Sequence, residues 1–250
     1  MKKQPPKERL DALLVRRGAV ESRSKAQALI LAGKVSIEGF DNSRLKPGTL
    51  IPREALVSVK TTSPWVGRGG EKLSGALEDF GLINSLSGLW LDSGSSTGGF
   101  TQALLANGVE RVFAVDVGYG LLDTRLRSDP RVVLLERTNL RNLDPSRLPT
   151  LDGATLDLSF ISLRLVLPNV REMLRRNALV ICLVKPQFEG KPRDVGKGGI
   201  VRNPKVRDRI LADFHDWVKS QGWQYLARVP SRIRGRKGNL EEFFLLKNTS

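Results

Sequence analysis

Cys182 is the only cysteine in a chain of 250 residues, which excludes an intrachain disulfide and a cysteine-cluster metal site. Long apolar runs are missing as well. The longest uninterrupted one, Ala178 to Val184, falls far short of the roughly 20 residues a spanning helix needs. The opening MKKQPPKERLDALL has charges where the apolar core of a secretory signal belongs, so the expectation is a soluble, cytoplasmic protein with no membrane partner. Acidic residues are scarce too: 26 Asp and Glu face 41 Lys and Arg, a formal charge of +15 with a pI near 10.4. Such an excess points to a polyanionic partner, nucleic acid first.

Two phosphate-binding signatures are also absent from the stretch around which the chain is organised. In LWLDSGSSTGGF, Leu89 to Phe100, an apolar run ends at Asp92, breaks into small residues, and resumes as a helix. It reads as strand, tight turn and helix start. It is not G-x-G-x-x-G, which cradles a pyrophosphate, and no lysine follows its last glycine as in a P-loop. A carboxylate at the strand end would repel a phosphate, yet suits the cationic aminoacyl end of S-adenosylmethionine. Gly94, Gly98 and Gly99 let backbone N–H groups approach a ligand closely. Ser96, Thr97 and Phe100 complete the turn as cofactor candidates. About twenty residues on, VFAVDVG ends a second strand at Asp116, placed to accept hydrogen bonds from ribose hydroxyls. The expected ligand is S-adenosylmethionine.

Upstream, Leu10, Leu13 and Leu14 recur at helical spacing between Glu8 and Arg17, and Gly18 ends the element. A second helix from Ser22 or Ser24 to Ala32 turns Ala26, Leu29 and Ile30 inward, with Gly33 as its stop, and KVSIEG alternates as a strand. Arg16, Arg17, Arg23, Lys25 and Lys34 gather on these helices as candidate RNA contacts. Residues 1–62 hold 13 Lys or Arg against 6 Asp or Glu, the rest of the chain 28 against 20, so positive charge is densest at this end. That favours a phosphate-contacting surface over a merely solvated face. Pro64, Gly67, Gly69 and Gly70 mark a connector, giving domains at 1–62 and 71–250 with a linker at 63–70. Trp65 within it is either an apolar anchor or a contact coupling the domains. Leu73, Ala76, Leu77 and Phe80 then place Lys72 in the first turn of a helix, where a cation opposes the dipole. An exposed Lys72 gains nothing structurally there, which favours a functional role.

Five more apolar segments follow Asp116: Val132–Glu136, Ala154–Leu158, Ala178–Val184, Trp223–Val229 and Glu241–Leu246. Helical segments separate most of them, so the fold class is α/β, a mostly parallel seven-stranded sheet covered on both faces. The last two lack a full helix between them and should pair antiparallel. Ligands of such sheets lie beyond the carboxyl ends of the strands, which puts Glu136 to Asn139 near an adenine. Asp157 and Lys185 stand at strand ends, Glu241 opens the last strand, and Lys72 precedes the first. Two lysines and two acids meeting on one rim suggest chemistry. Phe160 either stacks on a base or belongs to the core, the loop GKPRDVGKGGIVRNPK suits RNA phosphates, and His215 reads as structural.

Residues 8 to about 60 resemble the RNA-binding module of the ribosomal protein S-four type, on RLDALLVRRGAVESRSKAQALILAGKVSIEG. Over nearly the whole chain the sequence resembles the TlyA or hemolysin-A family, on VGRGGEKL, LDSGSSTGGFTQALL, VFAVDVGYGLL, RSDPRVVLLERTNLR, LDLSFISL, LVKPQFE and GKGGIVRNP. The resemblance implies a small α+β RNA-binding domain before a Rossmann-like class I methyltransferase domain of the FtsJ type, with the last strand antiparallel. It also implies S-adenosylmethionine-dependent 2′-O-methylation of a cytidine ribose in ribosomal RNA, whether free or in ribosomal subunits. A Lys-Asp-Lys-Glu set falls on Lys72, Asp157, Lys185 and Glu241, with Glu242 as the neighbouring alternative to the last; no metal is implied. Gly67, Ser93, Ser95 and Gln102 depart from the pattern, where Ser, an aliphatic residue, Ala and an acid are expected. The competing classes are a nonenzymatic ribosome assembly factor, against which the intact glycine turn argues, and a membrane-lytic protein, which needs a strongly apolar segment that the sequence lacks.

Overall fold

The computed structural model describes residues 6–20, 22–59, 64–235 and 237–250. The chain divides into two compact units, Met1–Thr62 and Ser63–Ser250. In the first, β1 (Lys7–Arg9), α1 (Leu10–Arg16), α2 (Arg23–Leu31), β2 (Val35–Ile37), β3 (Leu50–Pro52) and β4 (Val57–Val59) surround a core of Leu10, Leu13, Leu14, Ala26, Leu29, Ile30, Val35, Ile37 and Ile51. The first helix starts at Leu10 and not at Glu8. Lys7–Arg9 is drawn into antiparallel pairing with Leu50–Pro52, a non-local contact that overrides local helical spacing. Ser22 caps α2 by accepting the Lys25 N–H, and Gly33, at φ +64°, takes the left-handed conformation that ends it. Inside this unit Asp11 is fully buried, yet Arg9, Arg23 and Gln27 all donate to it. The Arg9 hydrogen bond, chiefly, holds its carboxyl well below the usual carboxylate range.

The second unit is built on α3 (Arg68–Asp79), β5 (Leu89–Ser93), α4 (Gly99–Ala106), β6 (Arg111–Val115), α5 (Thr124–Arg127), β7 (Val132–Leu135), β8 (Leu151–Leu156), α6 (Leu167–Glu172), β9 (Leu174–Val184), α7 (Pro186–Glu189), α8 (Pro204–Ser220), β10 (Gln224–Pro230) and β11 (Glu242–Lys247). Its seven strands lie in the order β10-β11-β9-β8-β5-β6-β7. Strands β5 to β9 pair in parallel, and β11 runs antiparallel between β9 and β10. This is the class I methyltransferase arrangement expected from the sequence. The strands read as near-continuous apolar runs because both faces are covered. One face carries Phe214, Val218 and Trp223 from α8 and its exit, the other Leu73, Leu77 and Leu104 from α3 and α4.

Several boundaries differ from those read off the sequence. Residues 68–70 are not linker: they form the first turn of α3, and the Trp65 ring packs so closely on Gly70 that an added Cβ would lie 2.6 Å from it. Trp65 is thus an anchor within this unit. Lys72 therefore sits in the second turn, where the dipole penalty fades. No full helix joins β7 to β8; two 3-10 turns, Leu140–Asn142 and Pro145–Arg147, are capped by Asn139 and Asp144. Strand β11 begins at Glu242, which leaves Glu241 in the preceding loop. Among the described residues no helix is long and apolar enough to cross a membrane, and no group of three His, Cys, Asp or Glu side chains is placed to hold a metal ion.

Candidate active site

Strand order reverses between β8 and β5, so the loops leaving their carboxyl ends diverge and open a crevice. The turn after β5 is pressed against the loop after β8. A Cβ on Gly94, whose φ is +79°, would lie 2.6 Å from the Asp157 carbonyl oxygen. Gly98, at φ +93°, feeds the chain into α4, and Gly99 passes so close to Gly70 that a Cβ would stand 2.5 Å from its backbone nitrogen. Gly94 and Gly99 bring backbone up to the wall of a cavity of about 800 Å³, which Gly98 itself does not border. Ser96, Thr97, Gly99 and Phe100 border it as well, although the Phe100 ring is mostly buried against Phe243.

All four residues of the expected catalytic set border this cavity. Lys185, in the last position before α7, donates to Asp157 Oδ1 at 2.6 Å, to the Leu158 carbonyl at 2.8 Å and to Ser159 Oγ at 3.1 Å. Lys72 Nζ lies 2.5 Å from Glu241 Oε2, with both side chains buried. Lys72 is therefore not the exposed cation that its helical position suggested. Glu242 faces the other way, 3.6 Å from Arg228 Nε, which separates it from Glu241. Two ammonium groups and two carboxylates give this rim local neutrality, and burying them is tolerable only because each charge is paired.

The expected cofactor carboxylates are placed differently from the first expectation. Asp92 does not border the cavity. It lies fully buried, accepting the Thr101 hydroxyl at 2.6 Å and the Thr155 hydroxyl at 3.2 Å. Burial pushes its carboxyl up to about 7, and the two hydroxyls only partly oppose that. It therefore ties β5 to α4, just beyond the glycine turn, and to β8, and is not positioned to meet an aminoacyl group directly. Asp116 accepts the Ser96 N–H at 2.8 Å and the Gly118 N–H at 2.7 Å, fastening the turn after β5 to the one after β6. Its remaining lone pairs are what a ribose would use. Asn139 lies in the loop four residues past the end of β7, exposed, outside the cavity lining, with its oxygen capping the Arg141 N–H.

The fit of S-adenosylmethionine to this cavity rests on the glycine cradle and on two buried polar atoms at its wall. Ser95 Oγ and Gln187 Oε1 have no hydrogen-bond partner, and buried groups of that kind are normally satisfied. Polar atoms of a ligand would satisfy them. Two of the unusual residues are explained locally. A Cβ at Gly67 would come within 2.5 Å of Thr97 Oγ1, so glycine leaves that hydroxyl its place. Gln102 accepts the Val66 N–H at 2.8 Å and donates to the Pro64 carbonyl at 3.1 Å, a double role that an acid could not fill. The buried Ser93 hydroxyl has no partner, and nothing in the structure explains its choice over an aliphatic residue.

The Asp92 environment yields a stability prediction. Its folded value, about 7, lies above the ordinary 3.8, so the folded state holds the proton more tightly. Its contribution is fully present below pH 4 and is lost as the pH rises from about 4 to 7. Asp92→Asn should remove this component: its stability relative to wild type, read from urea midpoints, should rise across that window and level off above it. A pH-independent difference would mean that Asp92 is charged throughout.

On the small unit, Arg16 pairs with Glu8 at 3.0 Å and Arg23 with Asp11 at 3.1 Å. Arg17 donates to the carbonyls of Ala55, at 2.8 Å, and Arg53, at 2.5 Å. Part of the expected RNA-contacting set thus also braces its own fold. Lys25 and Lys34 lie on the exposed surface. On the catalytic unit, Phe160 is 88% exposed at the cavity mouth, with its ring 5.3 Å from Phe188; the core alternative is excluded. His215 lies against Tyr225, away from the cavity, as a structural residue. Sequence reasoning missed Ser159 and Gln187, which sit beside motif residues with nothing to distinguish them. It also missed Asn239, which ties two loops at the cavity by accepting the Val201 N–H and donating to the Gly199 carbonyl.

The family profile described as FtsJ-like methyltransferase matches residues 65–249, and the S4 domain profile matches residues 8–40. The chain is 45% identical over 243 residues to the 16S/23S rRNA (cytidine-2′-O)-methyltransferase TlyA of Mycobacterium tuberculosis, covering 96% of this chain and 89% of the relative. It is 37% identical to Hemolysin A of Brachyspira hyodysenteriae, covering 93% of this chain and 97% of that one. Among solved structures, a candidate hemolysin from Streptococcus thermophilus superposes with a TM-score of 0.74 at 36% identity, covering 99% of this chain and 90% of the other.

Proposed function

Because this chain belongs to the TlyA/hemolysin A family of rRNA 2′-O-methyltransferases, we propose that Lys72, Asp157, Lys185 and Glu241 are the groups with which it methylates ribosomal RNA. It is an S-adenosylmethionine-dependent rRNA (cytidine-2′-O)-methyltransferase. The observation carrying the assignment is that all four side chains border one cavity with the glycine turn.

S-adenosylmethionine supplies an already electrophilic methyl group on a sulfonium. What remains is to align a ribose 2′-hydroxyl, a weak acid and poor nucleophile, and to take its proton. Lys185 has three partners in tetrahedral reach. Once the proton it shares with Ser159 has been released, Nζ still donates to Asp157 and to the Leu158 carbonyl and turns a lone pair toward the Ser159 position. A 2′-hydroxyl replacing Ser159 there would give its proton to Nζ as its oxygen takes the methyl group and the sulfonium departs as a neutral thioether, and the resulting ammonium would be held by the same acceptors. Asp157 orients Nζ. Lys72, fixed by Glu241, donates toward the ribose and balances charge. Phe160, exposed beside them, stacks on the target base, a contact worth roughly 1–3 kcal/mol.

Residues 1–62 supply RNA affinity and the second unit, residues 63–250, the chemistry, with Arg16, Arg17, Arg23, Lys25 and Lys34 as RNA-binding candidates. The substrate is ribosomal RNA, free or in ribosomal subunits, and such a substrate supports a cytoplasmic location. The dense charge of residues 1–62 and their separate core support this division. A protein lacking residues 1–62 should bind S-adenosylmethionine and fail to bind rRNA; normal methylation by it would refute the division. Asp92, Gly94, Ser96, Thr97, Gly98, Gly99, Phe100, Asp116 and Asn139 remain the proposed cofactor set, with Asp92 acting through the helix that follows the turn. Asp116→Ala should weaken S-adenosylmethionine binding by about 1–3 kcal/mol, since both ribose and turn lose their acceptor. Unchanged affinity by calorimetry would overturn that pose. The function itself is tested by methyl transfer to free rRNA, isolated subunits and whole ribosomes, followed by mapping of ribose methylation. No transfer to any of the three would refute it.

A further inference from the structure

Glu189, the last residue of α7, buries its carboxylate, 1% exposed, under the 158–163 loop and takes no part in the proton transfer itself. Oε2 accepts the Ser162 hydroxyl at 2.6 Å and Oε1 the Leu163 N–H at 2.7 Å, while Arg164 Nε stays 3.7 Å away. Burial raises this carboxyl above its ordinary value, against the pull of those donors. A buried acid whose nearest cation, Arg164, stays beyond hydrogen-bond distance is costly to keep, and what it holds is the far end of the 158–163 loop. The near end is held by Lys185, through the Leu158 carbonyl and Ser159 Oγ. Both anchors sit on one short stretch of chain: the Phe188 and Glu189 N–H groups donate back to the Lys185 carbonyl.

Between the anchored ends stands Phe160, at φ +63° and 88% exposed, its ring supported by Phe188. A bulky residue keeps a left-handed conformation only where its surroundings over-determine it. We propose that Glu189 is a positioning residue for the target nucleoside: it locks residues 162–163 so that Phe160 stands preformed as the face on which the base stacks. The inference rests on Phe160 being that stacking face. It assigns to Glu189 no contact with RNA, cofactor or the reacting atoms. Its effect must therefore pass through Phe160.

A double-mutant cycle on kcat/KM for rRNA tests this, with S-adenosylmethionine affinity measured in parallel. Phe160→Ala should lower kcat/KM about tenfold or more, and Glu189→Ala about fivefold, each leaving cofactor affinity within about twofold. In the Phe160→Ala background, Glu189→Ala should change kcat/KM by less than about twofold. Glu189→Gln should recover most of the rate, since its oxygen can accept the Leu163 N–H while its amide donates to Ser162. Should Glu189→Ala fail to fold, Ser162→Ala removes one of the two bonds without touching α7 and enters the same cycle. A wild-type rate for Phe160→Ala would overturn the stacking role and this inference together. A loss for Phe160→Ala, with an equal Glu189 effect in both backgrounds, would overturn the positioning role alone; so would a wild-type rate for Glu189→Ala.

Discussion

Lys185→Ala is expected to leave the protein folded and able to bind S-adenosylmethionine, while its single-turnover methylation rate at saturating rRNA falls by about 10²–10⁴-fold, the usual worth of general acid-base assistance. The fold should survive because the partner left behind, Asp157, is 22% exposed and can be hydrated. The Leu158 carbonyl and Ser159 hydroxyl lose a donor at the open edge of the cavity, and not in the core. Cofactor affinity should hold because Asp116 fastens the glycine turn and Asp92 fixes the helix that follows it, neither of them through Lys185. Lys185→Arg should not restore the rate: guanidinium stays protonated, and its planar fork does not fit three acceptors around one nitrogen. A near-normal single-turnover rate for the alanine variant would exclude Lys185 as proton acceptor. A loss confined to KM for RNA would reduce it to a ribose or phosphate clamp.

The parts of this molecule that could be read from sequence are those decided by local pattern. Apolar runs punctuated by turn residues gave the seven strands, and glycines after Ser93 gave the nucleotide-binding turn. Lys72, Asp157, Lys185 and Glu241 were legible chiefly through family motifs, since each alone resembles a solvated terminus. What escaped was decided by pairing between distant segments. Asp92 lies opposite Thr155 in the parallel register of β5 and β8, and that register turns a strand-end carboxylate into a buried tie. Lys7–Arg9 reads as helix until Leu50–Pro52 claims it. Arg17 reads as an RNA contact, and it also clamps the chain at Arg53 and Ala55. Burial of Lys72 depends on Glu241, 169 residues away, a distance over which spacing carries no signal. Phe160 stays open between base and core in the sequence for the opposite reason: an aromatic beside a strand usually enters a core, and only its backbone at φ +63° turns it out.

The Lys72–Glu241 pair allows stability and chemistry to be pulled apart. Glu241→Ala leaves an ammonium that is 9% exposed without its carboxylate, and breaking a buried pair from one side costs about 3–5 kcal/mol. Its urea midpoint should therefore drop further than that of Lys185→Ala or Asp116→Ala, with methylation lost as well. Such a result alone would not distinguish a structural role from a catalytic one. Replacing both partners does: Lys72→Met with Glu241→Leu keeps similar volume and removes both charges, a change that is often neutral or stabilising. The double variant should return to near wild-type stability and bind S-adenosylmethionine, yet remain inactive in single turnover. An active double variant would make the pair a piece of scaffolding. A Glu241→Ala protein within about 1 kcal/mol of wild type would show that Lys72 finds water in the crevice, which would leave Lys185 and Asp157 to carry the transfer without a second charge held rigidly beside the ribose.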